Sequence, residues 1–130
     1  MNTYFDLIAK SYLKNNITIV DPKKDIEKWK GCTVFKPNEK EALALSGKKT
    51  VDEAGNYLSE FLGSSVVVTQ AANGVSVFEN GNMHRIKPTK SPAVAESVIG
   101  AGDAFIAFLA MALCKGFSLV DSAEIAFKAG

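Results

Sequence analysis

The sequence predicts an α/β fold of three layers, in which helices cover both faces of a mostly parallel sheet and one antiparallel hairpin lies at its edge. Short apolar runs alternate with segments of helical periodicity, which is typical of strand–helix–strand units. Two later runs alternate in polarity around an Asn-Gly-Asn turn, which is typical of a hairpin. The 130 residues are of single-domain size. Because the pattern opens on one helix and stops inside another, we expect residues 1–130 to form one partial domain.

Five segments carry apolar residues at helical spacing or in unbroken helix-forming runs. We predict helices over residues 5–16, 39–45, 50–62, 104–114 and from about 119 to the end. Asn38 and Thr50 each stand three residues before a glutamate, the spacing of a capping box. Gly47 and Gly63 are predicted to end the helices that these residues begin.

The predicted strands are short and apolar, as expected of strands buried on both faces. They fall at residues 17–20, 33–36, 65–69 and 94–98, with the hairpin at 75–79 and 83–87. Ligands of such sheets bind beyond the carboxyl ends of the parallel strands. The loops after Val20, Lys36 and Thr69 are therefore expected to face one crevice, together with the turn that follows residue 98.

The composition is that of a soluble globular protein, with 47% apolar and 22% charged residues and a net charge of +1. This charge predicts neither a nucleic-acid surface nor a membrane surface. No run approaches the roughly 18 apolar residues of a spanning helix, and no signal peptide is evident, so a cytoplasmic location is expected. Cys32 and Cys114 are predicted to be reduced packing residues, Phe117 a packing residue, and His84 a pairing residue of the hairpin.

The turn before the predicted helix at 104–114 carries the strongest chemical signal. Gly100, Ala101 and Gly102 allow close backbone approach, and the first N–H groups of the following helix lack internal partners, so the turn is suited to an anion. The helix dipole favours the ionised form of Asp103. A base beside an anion site indicates phosphoryl transfer. The purely structural alternative, a glycine turn with an Asp cap, is equally compatible with the composition.

The same stretch, GAGDAF, resembles the second signature of the ribokinase-like (PfkB) family of sugar kinases. The resemblance implies that Gly100, Ala101 and Gly102 form the anion hole for the transferred phosphoryl group. It also implies that Asp103 is the base that deprotonates the sugar hydroxyl.

Ser97 and Ile99, which precede this turn, depart from the family signature. Ser97 and Ile99 stand where the family usually has Asp and Thr, positions that often help to bind a monovalent cation. Activation by such a cation is therefore left open.

The sequence KPNEKE, at residues 36–41, has two interpretations. Asn38 and Glu41 have capping-box spacing, which is a sufficient explanation by itself. The sequence also resembles the NxxE motif of the same kinases, which implies that Asn38 and Glu41 organise Mg²⁺ through water and that Lys36 contacts the phosphates. Such parts suit phosphoryl transfer, which is catalysed mainly by positioning and charge neutralisation.

Two further stretches carry the resemblance. TQAANG, at residues 69–74, is similar to the family's TxGxxG loop, which implies that Thr69 and Gly74 bind nucleotide, although Ala71 replaces the first glycine. Without the family it is an ordinary strand connection. Residues 21–42 are similar to the heptose 7-phosphate kinase part of the bifunctional enzymes that make ADP-heptose, with Lys24 in place of a glycine.

Taken together, the resemblance spans residues 21–130 and implies the nucleotide-binding C-terminal half of a ribokinase-like carbohydrate kinase. ATP, Mg²⁺ and a sugar or sugar phosphate are the implied ligands, and the missing N-terminal half of the kinase is the implied partner. The fragment alone is expected to be inactive, and homo-oligomerisation is left open. The alternative is a non-catalytic adenine-nucleotide-binding or scaffold module of the same fold, which the departures at Ser97, Ile99 and Ala71 favour.

Overall fold

The computed structural model of the chain describes residues 17–20, 26–88 and 101–129. Within them the strands are β1 (Ile19–Val20), β2 (Val34–Phe35), β3 (Ser65–Thr69), β4 (Val75–Glu79) and β5 (Asn82–Ile86). The helices are α1 (Glu39–Ser46), α2 (Val51–Leu62), α3 (Ala101–Cys114) and α4 (Leu119–Ala129). Short 3₁₀ turns occur at Ile26–Trp29 and Ala71–Asn73. The helix predicted over 5–16 and the strand predicted over 94–98 lie outside the described residues.

The strands form one mixed sheet in the order β1-β2-β3-β4-β5. The pairings of β2 with β1 and with β3 are parallel, whereas the pairings of β4 with β3 and with β5 are antiparallel. This confirms the predicted α/β class and the hairpin at the sheet edge. The hairpin turn consists of Asn80 and Gly81, which have φ angles of +54° and +81°. These are the left-handed values that a two-residue hairpin turn requires.

Helices cover both faces of the sheet, as the predicted three layers require. On one face, Val67, Val75 and Val77 pack with apolar residues of α3 and α4. On the other face, Val66 and Phe78 pack with apolar residues of α1 and α2. The alternation along β3 and β4 therefore divides the core into two clusters, one on each side of the sheet.

The predicted N-caps of α1 and α2 are present, and of these two caps only that of α1 has both bonds of a capping box. Asn38 caps α1 and Gly47 follows it with a φ of +73°. Thr50 caps α2, its hydroxyl accepting from the N–H of Glu53 at 3.2 Å, and Gly63 follows with a φ of +64°. The glycines end these helices because their left-handed conformation carries no Cβ penalty.

Three details of the predicted packing are wrong. Helix α3 already includes residues 101–103, before the predicted start at residue 104, because first-turn residues need no intrahelical partner and the apolar pattern does not report on them. Cys32 is buried as predicted, but Cys114 is exposed. Phe117, predicted to pack, is 48% exposed. No helix within the described ranges combines the length and the apolar character needed to cross a membrane.

Candidate functional site

The stretches that follow β2 and β3 lie side by side at one edge of the sheet, the end where the parallel strands have their carboxyl ends. Asn38 forms a parallel bridge with Thr69, and the N–H of Thr69 donates to the carbonyl oxygen of Pro37 at 3.1 Å. The parallel pairing of β2 and β3 directs both carboxyl ends to this edge. The candidate residues Lys36, Asn38 and Thr69 are thereby brought together.

Lys36 is buried at this edge, with only 3% of its surface exposed. Its N–H donates to the carbonyl oxygen of Val20 at 2.8 Å, which continues the β1–β2 ladder. Its ammonium nitrogen lies 6.0 Å from the centre of the Phe105 ring in α3. Among the side chains that the structure describes, no carboxylate pairs with it. A lysine at so buried a position attracts an opposite charge, so an anionic ligand beside its ammonium would be stabilised.

Asn38 and Glu41 form the complete capping box at the start of α1. The side-chain oxygen Oδ1 of Asn38 accepts from the N–H of Glu41 at 2.7 Å, and Oε1 of Glu41 accepts from the N–H of Asn38 at 2.9 Å. The structural interpretation of these residues is therefore correct as far as it goes. Oε2 of Glu41 makes no hydrogen bond to the described residues and remains able to accept one from a ligand or from water.

The chemistry of this pair fits Mg²⁺ held through water. Mg²⁺ prefers oxygen ligands and commonly keeps several of its waters, which one carboxylate and one amide oxygen can orient. In the described part of the chain no cluster of three or more His, Cys, Asp or Glu side chains could hold a metal directly. Glu41 and Asn38 would accordingly need the oxygens of a bound ligand to complete the coordination.

The loop between β3 and β4 closes on itself around a 3₁₀ turn. The N–H of Gln70 donates to the carbonyl oxygen of Gly74 at 2.8 Å, and the N–H of Asn73 donates back to the carbonyl oxygen of Gln70 at 2.9 Å. Gly74 has a φ of +105°, and a Cβ there would overlap the carbonyl oxygen of Ile86. Ala71 has a φ of +49°. Ala71 thus keeps the left-handed backbone that glycine adopts most easily.

The start of α3 is the last part of the predicted site. The backbones of Ala101, Gly102 and Asp103 are helical, and the first N–H groups of a helix have no intrahelical partner. They form the positive end of the helix dipole, which is suited to an anion. Gly100, Ser97 and Ile99 lie outside the described residues, as does the side chain of Asp103.

A chain of polar side chains beside the loop was not predicted. The hydroxyl of Ser76 donates to Oε1 of Gln70 at 2.6 Å and accepts from Nε of Arg85 at 3.4 Å. The guanidinium of Arg85 also donates to Oδ1 of Asp52 at 2.6 Å, which links β5 to the first turn of α2. One signal existed in the sequence: Ser76 occupies the same strand face as Phe78, where a polar residue is kept only if its hydroxyl is bonded.

Comparison of the sequence with protein families and curated proteins gives consistent matches. A profile described as "pfkB family carbohydrate kinase" matches residues 4–130. The chain is 39% identical over 113 residues to the Bifunctional protein HldE of a Nitratiruptor species, covering 82% of the chain and 24% of that protein. It is 37% identical over 128 residues to the Bifunctional protein HldE of Geobacter sulfurreducens, covering 93% and 26%. The chain therefore spans about a quarter of the length of these relatives.

Solved structures share the fold over nearly the whole chain. A ribokinase from Thermotoga maritima superposes with a TM-score of 0.79 at 27% identity, covering 96% of this chain and 45% of that one. The ribokinase of Arabidopsis thaliana, solved with ribose and ATP, superposes with a TM-score of 0.73 at 23% identity, covering 96% and 42%. The architecture is ribokinase-like, and the chain corresponds to less than half of each of these structures.

Proposed function

Because the chain belongs to the pfkB family of carbohydrate kinases, we propose that it is the nucleotide-binding part of an enzyme that transfers the γ-phosphoryl group of ATP to a hydroxyl of a sugar or sugar phosphate. The observation that carries the proposal is Lys36. Its side chain is buried, and its ammonium, which has no counter-charge among the described residues, lies beside Phe105, close after the start of α3. A lysine and a helix N-terminus directed at one place are a recurrent means of holding phosphate.

The proposed chemistry assigns roles to the turn before α3, to the start of α3 and to Lys36. Asp103 accepts the proton of the attacking hydroxyl, whose oxygen forms a bond to the γ-phosphorus while the bond to the β-phosphate oxygen breaks and ADP leaves. The backbone N–H groups of Gly100, Ala101 and Gly102 hold the oxygens of the transferred group. Lys36 neutralises charge on the phosphates.

The remaining proposed contacts lie on the two neighbouring loops. Asn38 and Glu41 hold the waters of Mg²⁺, which supplies charge neutralisation at the nucleotide phosphates when it is bound. Thr69 and Gly74 place the loop between β3 and β4 along the nucleotide. The Asn38–Thr69 bridge supports this arrangement, because it joins the metal-organising stretch to the loop.

The proposal includes a partner, the N-terminal half of the kinase, which would carry most of the sugar pocket. Support comes from the share of each relative that the chain covers, and from apolar side chains left exposed on α3. Phe108 is 36% and Met111 54% exposed, one helical turn apart. We therefore propose little or no turnover by the 130 residues alone, because no segment of the described residues closes over a sugar to exclude water. A cytoplasmic location is part of the same proposal.

Replacement of the proposed base in the complete protein is the principal test. Asp103→Asn should lower turnover to below about one hundredth of wild type, the usual contribution of a general base, and leave ATP affinity nearly unchanged. Asp121→Asn, in the first turn of α4, is the matched control and should remain fully active. An Asp103→Asn enzyme as active as this control would refute the assigned role.

The second candidate is a non-catalytic adenine-nucleotide-binding or scaffold module of the same fold. Ser97 and Ile99 favour this module because they depart from the family signature. Ala71 favours it less, because its backbone has the left-handed conformation that the family glycine could adopt. Calorimetry with ATP and Mg²⁺, followed by phosphorylation assays over sugars and sugar phosphates, separates the two functions. Binding without turnover in the complete protein would favour the module. Assays with and without K⁺ decide whether a monovalent cation activates.

A further inference from the structure

The loop between β3 and β4 is held by side chains that make no predicted contact with a ligand. We infer that Ser76 and Arg85 are positioning residues of the nucleotide site: through Gln70 they fix the backbone of residues 69–74 before nucleotide binds. The expected effect on ATP affinity rests on the proposed function. The restraint of the loop backbone by these side chains does not depend on that function.

Ser76 is the centre of the arrangement. It is fully buried, on the face of β4 that also carries Phe78. A buried hydroxyl destabilises the folded state unless it is hydrogen-bonded, and an apolar residue would suit this face better. The hydroxyl uses both of its capacities, donating to Gln70 at 2.6 Å and accepting from Arg85 at 3.4 Å. The presence of a serine at this buried position is therefore best explained by its hydrogen bonds to Gln70 and Arg85.

Arg85 connects the serine to a rigid element. Its guanidinium donates to Asp52 at 2.6 Å, in the first turn of α2, where the helix dipole also favours a carboxylate. Both side chains are partly exposed, at 38% and 52%, so the ion pair alone contributes little stability. Its effect is directional: it orients the guanidinium so that Nε faces the hydroxyl of Ser76.

Gln70 transmits this restraint to the loop backbone. Its side chain is fixed by Ser76, while its N–H and its carbonyl oxygen form the two bonds that close the loop, to Gly74 and from Asn73. The next residue, Ala71, has a φ of +49°, which is unfavourable for alanine. A strained residue persists only where its surroundings determine its conformation. The adjacent residue, Thr69, is joined to the Lys36–Asn38 stretch, so the restraint extends to the proposed phosphate contacts.

The test compares Ser76→Thr with Ser76→Val in the complete protein. The two side chains have nearly the same shape and differ in the hydroxyl, so any overpacking affects both equally. Without nucleotide, amide hydrogen exchange at Gln70, Asn73 and Gly74 should be about tenfold faster in the Val variant, the factor that corresponds to one lost hydrogen bond. Exchange at Val67, in the β3–β4 ladder, should be equal in both. The dissociation constant for ATP with Mg²⁺ should be about tenfold higher for Val than for Thr.

Arg85→Gln, with Lys87→Gln as its control, tests the second residue. Lys87 borders the same shallow depression as Arg85, so each substitution removes one charge from it. Only Arg85→Gln should accelerate loop exchange and weaken ATP binding. Equal effects of both substitutions would show that charge and not positioning is responsible.

The outcomes distinguish this inference from the proposed function. Equal loop exchange in the Thr and Val variants overturns the positioning role, whatever their ATP affinities. Failure of the complete wild-type protein to bind ATP overturns the proposed function and leaves the exchange comparison valid. Faster exchange in the Val variant with unchanged ATP affinity overturns the claim that the loop serves the nucleotide.

Discussion

The ammonium nitrogen of Lys36 and the ring of Phe105 lie 6.0 Å apart, which joins the end of β2 to α3 across the candidate site. A ring face stabilises a cation by roughly 0.5–2 kcal/mol, less than the cost of desolvating an unpaired ammonium. The described residues supply no carboxylate to make up the difference. A buried lysine without a counter-charge among the described residues is therefore suited to a bound anion.

Lys36→Met should stabilise the fold and weaken nucleotide binding. Methionine keeps a long unbranched side chain and removes a charge from a residue that is only 3% exposed, so the free energy of unfolding should rise by about 1 kcal/mol. The affinity for ATP with Mg²⁺ should fall at least about tenfold, the effect of a lost hydrogen bond from a charged group. Urea unfolding and calorimetry measure the two effects. Lys40→Met, which removes an exposed lysine of α1, is the control, and an equal loss of affinity there would contradict a specific phosphate contact.

Glu41→Gln separates capping from metal organisation. Glutamine can replace glutamate in a capping box, so the free energy of unfolding should change by less than about 0.5 kcal/mol. Loss of the carboxylate charge should lower ATP affinity in the presence of Mg²⁺ and leave affinity in its absence unchanged. Glu53→Gln, in the first turn of α2, provides the matched control. If ATP binding by Glu41→Gln keeps its full Mg²⁺ dependence, the capping box is the whole role of this residue.

The features predicted correctly from the sequence are those set by local interactions. Asn38 and Gly47 bound α1 as predicted, because a cap depends on residues within a few positions of it. The Asn80–Gly81 turn is predictable for the same reason, since its conformation selects those residue types. The burial of Lys36 was not predictable: it depends on the packing of α3, which lies far along the chain.

The wrong predictions concern segments in which the apolar residues do not mark one face of a helix. Helix α3 is apolar on nearly every side, so periodicity cannot indicate which face packs on the sheet. Cys114 and Phe108 are exposed although each has the character of a core residue. The sequence pattern could not indicate this. The polar chain through Ser76 was missed for a different reason. The hairpin register places Ser76 opposite Arg85, but the contacts that these residues make with Gln70 and Asp52 have no fixed spacing in sequence.

Cys32 should make stability depend on pH in the alkaline range. Burial raises the pKa of the Cys32 thiol, and the hydrogen bond with Ser64, at 3.5 Å, partly offsets this. The unfolded chain therefore releases the thiol proton at lower pH than the folded chain. The stability contributed is complete below the unfolded thiol pKa of roughly 8.5 and is lost as pH rises through the folded value.

The measurement is the difference in free energy of unfolding between wild type and Cys32→Ala. This difference should be smaller at about pH 10 than at about pH 7.5. Cys114→Ala is the matched control for the loss of an exposed thiol. A constant difference for Cys32→Ala would mean that the thiol ionises equally in both states.

Ala71→Gly tests whether the departure from the family glycine changes the loop. The left-handed backbone costs alanine roughly 1–2 kcal/mol, and glycine loses roughly 0.4–1 kcal/mol more entropy on folding. The substitution should therefore stabilise the fold by about 0.5 kcal/mol, the difference between these effects. ATP affinity should remain that of wild type, because the backbone at Ala71 already has the conformation that a glycine would adopt. Ala44→Gly, at an exposed position of α1, should by contrast cost about 1 kcal/mol, and a similar loss for Ala71→Gly would show that Ala71 is not strained.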